Sequence, residues 1–119
     1  MTTQEFVQAI KAHVIDSAVR DVSANLESPP GRRPPPTAVA ASLWFRSLPE
    51  ESKQLALYAI REAAEYSAFG FCCVLDGVRV IERTEEKSEF RLICVSPTGT
   101  ETVLNPPEGE MLHDVLNLR

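Results

Sequence analysis

The side chains able to do chemistry in this 119-residue chain are few and scattered. There are two histidines, His13 and His113. Asp16 and Ser17 follow His13 at three and four residues, so on a helix the three share a flank. His-x-x-Asp gives two metal ligands where a site needs three or more, and no third stands at a diagnostic spacing. No metal site is expected, and His13 reads as a solvated or half-buried histidine. His113 and Asp114 are adjacent, and neighbours on a helix do not face each other as a base and its orienter. A structural role is expected for both, such as a hydrogen bond to a loop. The cysteines, Cys72, Cys73 and Cys94, are odd in number, lack a Cys-x-x-Cys pair and sit in apolar runs. They read as reduced, buried thiols acting as small hydrophobes. A cysteine paired with His113 as nucleophile and base could be assembled only by the tertiary fold. No Gly-x-Ser-x-Gly, phosphate loop, dinucleotide fingerprint or His-Glu-x-x-His occurs, so neither a catalytic set nor a cofactor is expected. Asp76 closes an apolar run, where a lone carboxylate is costly. It is expected to cap the turn there or to pair with Arg79, with Glu82 nearby. Trp44, Asp76, Arg79, His113 and Asp114 are the candidate binding residues.

Most of these residues depend on one stretch, Pro49 to Val78, for their placement. Ser47 or Leu48 reads as its N-cap, Pro49 suits a first helical turn, and Glu50 and Glu51 meet the positive end of the helix dipole. Leu57, Ile60, Ala64, Ser67, Phe71, Val74 and Val78 recur at gaps of three and four, one face of a helix, with Arg61, Glu62 and Glu65 opposite. Two structures compete beyond Ala68. Phe71–Leu75 and Val78–Glu82 flank Asp76-Gly77, a good two-residue hairpin signal. Alternatively the helix runs to Asp76 with Gly77 as a left-handed C-cap. The unbroken spacing through Val78 favours the helix, which is then apolar all round and must be buried at its C-terminal end.

Before this stretch, Thr2-x-x-Glu5 forms a capping box. Val7, Ile10, Val14, Ala18, Val22 and Leu26, broadened by Ile15 and Val19, predict an amphipathic helix of more than twenty residues. Residues 28–37 hold five prolines, a glycine and two arginines and should be extended and exposed. No two of these prolines stand three apart, so the segment reads as a stiff connector and not as a P-x-x-P ligand. Thr37 is expected to cap a short helix over Ala38–Ser47. Its Leu43, Trp44 and Phe45 read as core, with an outward Trp44 or Phe45 marking a partner surface instead. After Val78 the period becomes two. The firmest strands are Phe90–Val95 and Thr100–Leu104, joined by the turn Ser96-Pro97-Thr98-Gly99. Asn105-Pro-Pro-Glu108 resembles a helix start, and Met111, Leu112, Val115 and Leu116 predict a short closing helix. The fold class is therefore α+β: two long N-terminal helices plus a short helix packed on a small antiparallel β-hairpin sheet, and a short C-terminal helix. Residues 1–119 are expected to form a single domain.

Composition narrows the function classes. An apolar content of 44% against 24% charged residues fits a globular chain rather than a disordered one. No run of about 18 apolar residues exists, so no membrane span is expected. The N-terminus has no basic region followed by an apolar run, so no secretory signal is expected and a cytoplasmic location is. The net charge of −5 falls entirely in residues 61–119, which hold 6 basic and 11 acidic side chains. That disfavours nucleic acid and suits a basic protein partner.

The run Phe69-Gly-Phe-Cys-Cys-Val-Leu-Asp-Gly-Val-Arg-Val-Ile-Glu82 and the closing Leu112-His-Asp-Val-Leu-Asn117 resemble segments of a family of small bacterial proteins of unknown function. The resemblance spans roughly Leu48 to the C-terminus. It implies a bacterial cytoplasmic origin and a helix-then-hairpin layout, and it supplies no activity and no site residues. In character such small acidic α+β proteins are similar to immunity proteins that neutralise a toxin. The function expected is a non-enzymatic protein–protein interaction module that also self-associates into a homo-oligomer through its apolar-faced helices. The alternative is a small-molecule binder or minor enzyme with a pocket between helices and sheet, lined by Cys72, Cys94, Trp44 and His113.

Overall fold

The computed structural model describes residues 1–117. Its elements, in chain order, are α1 (Thr3–Ile10), a π-helical turn (Lys11–Ile15), α2 (Asp16–Glu27), α3 (Pro36–Ser47), α4 (Glu50–Leu75), β1 (Ile93–Val95), β2 (Glu101–Val103) and α5 (Leu112–Leu116). The fold is α+β, with several helices and one antiparallel strand pair in the register Ile93↔Val103, Cys94↔Thr102, Val95↔Glu101.

The capping box starts the first helix as the spacing requires. Thr2 Oγ1 accepts from the Glu5 N–H at 3.1 Å, and Glu5 Oε2 accepts from the Thr2 N–H at 2.8 Å. Helix runs without interruption from Thr3 to Glu27, but its buried residues are Val7 and Ile15, and Val14 and Val22 are exposed. The π-helical turn accounts for the shift. One extra residue in a turn rotates the following face by about 100°, so Ile15 takes the inward place that the seven-residue spacing assigned to Val14.

The short helix begins at Pro36, two residues earlier than expected, with Pro35 as its N-cap and Thr37 inside its first turn. Proline fits that position because its missing N–H would be unpaired there anyway. Ser42 and Phe45, three residues apart, take the inward face. The Ser42 hydroxyl donates to the Leu26 carbonyl at 2.7 Å, fastening α3 to the end of α2. Phe45 is 1% exposed and Trp44 54% exposed, so Trp44 and its neighbour Leu43 are surface residues and not core.

The central stretch is one helix of 26 residues. Pro49 is its N-cap, not Ser47 or Leu48; the Ser47 hydroxyl donates to the Trp44 carbonyl and the Leu48 N–H to that of Phe45. At the other end Gly77 adopts φ +76°, the left-handed cap that ends a helix. The N–H groups of Val78 and Arg79 then both donate to the Cys73 carbonyl, at 3.0 and 3.1 Å. Those donors are spent on the cap, so the strand expected over Val78–Glu82 does not form and residues 78–92 run irregularly. Full enclosure of the helix end is also overturned. Gly70, Cys72 and Cys73 are buried, but Phe71 is 64% exposed.

The main core lies where α1, α4 and α5 meet. Val7, Ile15, Cys72, Leu112 and Leu116 form it, with Ala64, Ala68, Phe69 and Leu75 of α4 packed around them. Asn105 does not start a helix. Its amide is buried and donates to the Leu75 and Phe90 carbonyls at 2.9 and 3.0 Å, while its Oδ1 accepts from the Leu92 N–H at 2.7 Å. One side chain thus ties the end of α4 to the base of the hairpin. The β-turn at Ser96–Gly99 is as expected, with Gly99 at φ +86° and its N–H donating to the Ser96 carbonyl.

The molecule is open for its size. Its Cα radius of gyration is 18.4 Å, where a compact chain of this length has about 13.5 Å. Its accessible surface is 8576 Å², against about 6,400 Å² for a globular protein of the same mass. No helix among the described residues is long and apolar enough to cross a membrane.

Candidate functional site

A groove of about 350 Å³ opens where α5 crosses the C-terminal half of α4, lined by Glu62, Glu65, Tyr66, Phe69, His113, Asp114 and Asn117. The α4 contributors stand at 62, 65, 66 and 69, the i, i+3, i+4, i+7 spacing that puts side chains on one flank of a helix. α5 supplies the opposite wall.

Beneath the groove lies a carboxylate–imidazole hydrogen bond that the sequence did not join. Asp76 Oδ2 accepts from the His113 backbone N–H at 2.8 Å and from the ring Nδ1–H at 2.7 Å. The Asp76 side chain is 1% exposed and that of His113 16%. Asp76 therefore neither caps its own turn nor pairs with Arg79. It caps the first turn of α5 from 37 residues away and holds the imidazole at the same time. A buried carboxylate is tolerable here because its charge meets two donors. Phe69 meets the other side of the ring edge-on, with centroids 5.9 Å apart. His113 Nε2 faces Asp114 Oδ1 at 3.3 Å, so these neighbours do meet, at the exposed rim of the groove.

The arrangement has the base–orienter half of a nucleophilic triad but not its nucleophile. A triad needs a hydroxyl or thiol at Nε2; here a carboxylate occupies that place. Cys72 lies on the core side. Its burial first, then the charge of Asp76, pushes the thiol up to about 11, so the sulfur stays protonated at neutral pH. Burial also pushes the Cys73 thiol up, and the Arg79 guanidinium pulls it the other way. All three cysteines are free, with Cys94 half-buried in β1.

The groove's electrostatics favour cations. Glu62, Glu65 and Asp114 surround two aromatic rings, and the Glu62 carboxylate raises the phenol of neighbouring Tyr58. On the same helix Arg61 is taken up by Asp16 at 2.9 Å, with Glu65 at 3.8 Å.

Of the five candidate binding residues, the fold brings Asp76, His113 and Asp114 together. Trp44 lies elsewhere, on the outer face of α3. Arg79 lies with its guanidinium against Gly70, in the space a Cβ would fill. Glu82 accepts from the N–H and hydroxyl of Ser88. Of the pocket expected from Cys72, Cys94, Trp44 and His113, only His113 lines this groove. His13 is exposed, and Asp16 serves Arg61 instead of sharing a metal with it. No group of three or more potential metal ligands exists among the described residues. The sequence reasoning missed Glu62, Glu65, Tyr66 and Phe69. Their shared flank was legible, but it passed for the solvated side of an amphipathic helix.

No family model, curated protein or solved structure matches this chain, so the resemblance of Phe69–Glu82 and Leu112–Asn117 to small bacterial proteins rests on those segments alone.

Proposed function

We propose that this chain is a non-enzymatic protein–protein interaction module whose partner presents a basic surface to the α4–α5 groove. The observation that carries the reading is the surface. A chain that exposes about a third more area than a globular one of its mass, with Leu43, Trp44, Leu55, Tyr58, Tyr66 and Phe71 outward, has apolar area to bury against something else. The groove gives the partner its sign. Three carboxylates around Tyr66 and Phe69 suit a lysine or arginine side chain, which gains from both the charges and the ring faces. The protonated, buried Cys72 and the carboxylate at His113 Nε2 support a role without covalent chemistry. In character this is the way an immunity protein engages a toxin.

The test is affinity capture from the native cell, repeated with Glu62→Lys/Asp114→Lys. The expected result is one basic protein retained by the wild type, lost at least tenfold by the double variant and released by salt. Equal capture by both proteins, or an acidic partner, overturns the reading. A toxin gene beside this one would place the immunity character directly.

A second reading has one observation in its favour. The groove's 350 Å³ suits a small ligand, and an organic diamine would meet the same carboxylates. Calorimetric titration with putrescine separates the two: saturable micromolar binding supports the small ligand, and no heat removes it.

A further inference from the structure

The face of α4 turned away from the core has a composition that its length makes unusual. At 100° per residue, Ser52, Leu55, Ala56, Ala59, Ala63 and Tyr66 fall within an arc of about 100°; farther along the helix the same arc is covered, with Gly70 and Cys73 buried. All six charged residues of the helix, Glu50, Glu51, Lys53, Arg61, Glu62 and Glu65, fall outside it. Leu55, Ala59, Ala63 and Tyr66 are exposed. The core instead takes Ala64, Ala68, Cys72 and Leu75, so this arc is left over after the chain has folded.

We infer that a second copy of this chain docks on the arc, the two α4 helices packing antiparallel about a two-fold axis at the level of residue 61. The inference rests on the interaction reading and names one partner for it. Three observations select a second copy over another occupant. First, the arc is self-complementary. Positions equidistant from residue 61 match: Ala59 falls opposite Ala63 of the second copy, with Leu55 beside Tyr66 at the edge. Small residues meet along the centre and large ones along the side, which lets two helix axes approach closely, and a two-fold axis requires such i-to-j, j-to-i matching. Second, the ends match in charge. Arg79 lies over Gly70 and makes no ion pair among the described residues. In the antiparallel pair the other helix's first turn, with Glu51, arrives at that place, so each interface gains two cation–carboxylate contacts. The stripe itself carries no charge, so a basic protein finds nothing on it to pair with. Third, the arc is uncovered. Leu55 is 65% and Tyr66 59% exposed, and Ala59 and Ala63 between them are exposed as well.

Size-exclusion chromatography with light scattering at 100 µM should give twice the 13.2 kDa chain mass. Ala63→Glu keeps a good helix former at an exposed site, so the fold should persist by circular dichroism. It should weaken association at least 100-fold. Arg79→Glu should weaken it about tenfold, and Glu51→Arg on the same chain should restore it. In a Cys94→Ser background, Ala59→Cys chains mixed with Ala63→Cys chains should form the intermolecular disulfide, and Ala12→Cys chains should not. A wild-type monomer at 100 µM, a dimer that survives Ala63→Glu, or a dimer without the 59–63 cross-link overturns the inference. The groove is tested separately: Glu65→Lys/Asp114→Lys should abolish capture of a basic partner and leave the dimer intact. A monomer that still captures that partner refutes the inference alone, and a dimer that captures none refutes the partner reading alone.

Discussion

The two ends of α4 do opposite jobs with similar residues. From Ala64 onward the helix is packed into the junction with α1 and α5, where Leu112 and Leu116 are 0% exposed. There the polar groups are paired as well: Asp76 with His113, Asn105 with three backbone groups, and among the described residues no buried side-chain nitrogen or oxygen lacks a partner. Between Leu55 and Ala63 the same helix turns apolar residues outward with nothing of its own chain over them. The difference teaches where the stability of the lone chain resides. It resides in a small, fully satisfied junction and in the buried Phe45 of α3, while the outward Leu43, Trp44, Leu55 and Tyr58 contribute little until something covers them.

The largest expected effect breaks the junction. Leu112→Ala empties a fully buried site between three helices and should cost about 3–4 kcal/mol in urea unfolding, transfer and cavity terms together. For a chain with so little core this is a large share of the total. Asn105→Ala comes next. It leaves the Leu75 and Phe90 carbonyls and the Leu92 N–H without their partner, and should cost about 2–3 kcal/mol. Amide exchange should show whether the loss is local: β1 and β2 should lose protection before α1 does.

A smaller effect sharpens the comparison through pH. The Cys72 thiol is pushed up to about 11 in the folded chain, above its ordinary value near 9. A raised thiol favours the neutral form, so its contribution is fully present below pH 9 and is lost as pH climbs from 9 through 11. Relative to Cys72→Ala, the wild type should lose stability more steeply over that window and run parallel to it below pH 8. Parallel curves up to pH 11 would mean that water reaches the sulfur, and so that the junction is less closed than its packing indicates.

How much of this was legible in the sequence depends on whether a local rule or a distant partner decided each residue. The capping box at Thr2, the left-handed Gly77 and the hairpin turn at Gly99 are local, and the residue types announce them; α3 instead starts at Pro36, ahead of the expected Thr37 cap. The helix over Pro49–Asp76 was legible because its three-four spacing never breaks, which outweighed the Asp-Gly hairpin signal. Its inward face was not. Leu57, Ile60, Ser67 and Phe71 looked like a core stripe because they are apolar or small at three-four spacing, yet Phe71 and Ser67 are exposed. The charged flank at Arg61 and Glu65, read as solvent-facing, is the one that pairs with Asp16 and forms the groove. The π-helical turn at Lys11–Ile15, by inserting one residue, displaced Val14 in the same silent way. Asp76 meeting His113 and Asn105 meeting Leu75 span 37 and 30 residues, distances over which neither spacing nor composition carries information. Asp76, His113 and Asp114 were each marked as residues to watch; what no local pattern could supply was that they are neighbours.

The smallest effect is the most discriminating. Leu55 is 65% exposed on the outward arc, so in an Ala63→Glu background, where association is removed, Leu55→Ser should change unfolding free energy by less than about 0.5 kcal/mol. In the otherwise wild-type chain the same substitution should lower the midpoint of denaturation, and the loss should grow with protein concentration, because only the associated state buries that side chain. A loss of equal size in both backgrounds would place Leu55 in the chain's own core. The contrast between the two ends of α4 would then lie within one packed helix instead of between a closed junction and an open face.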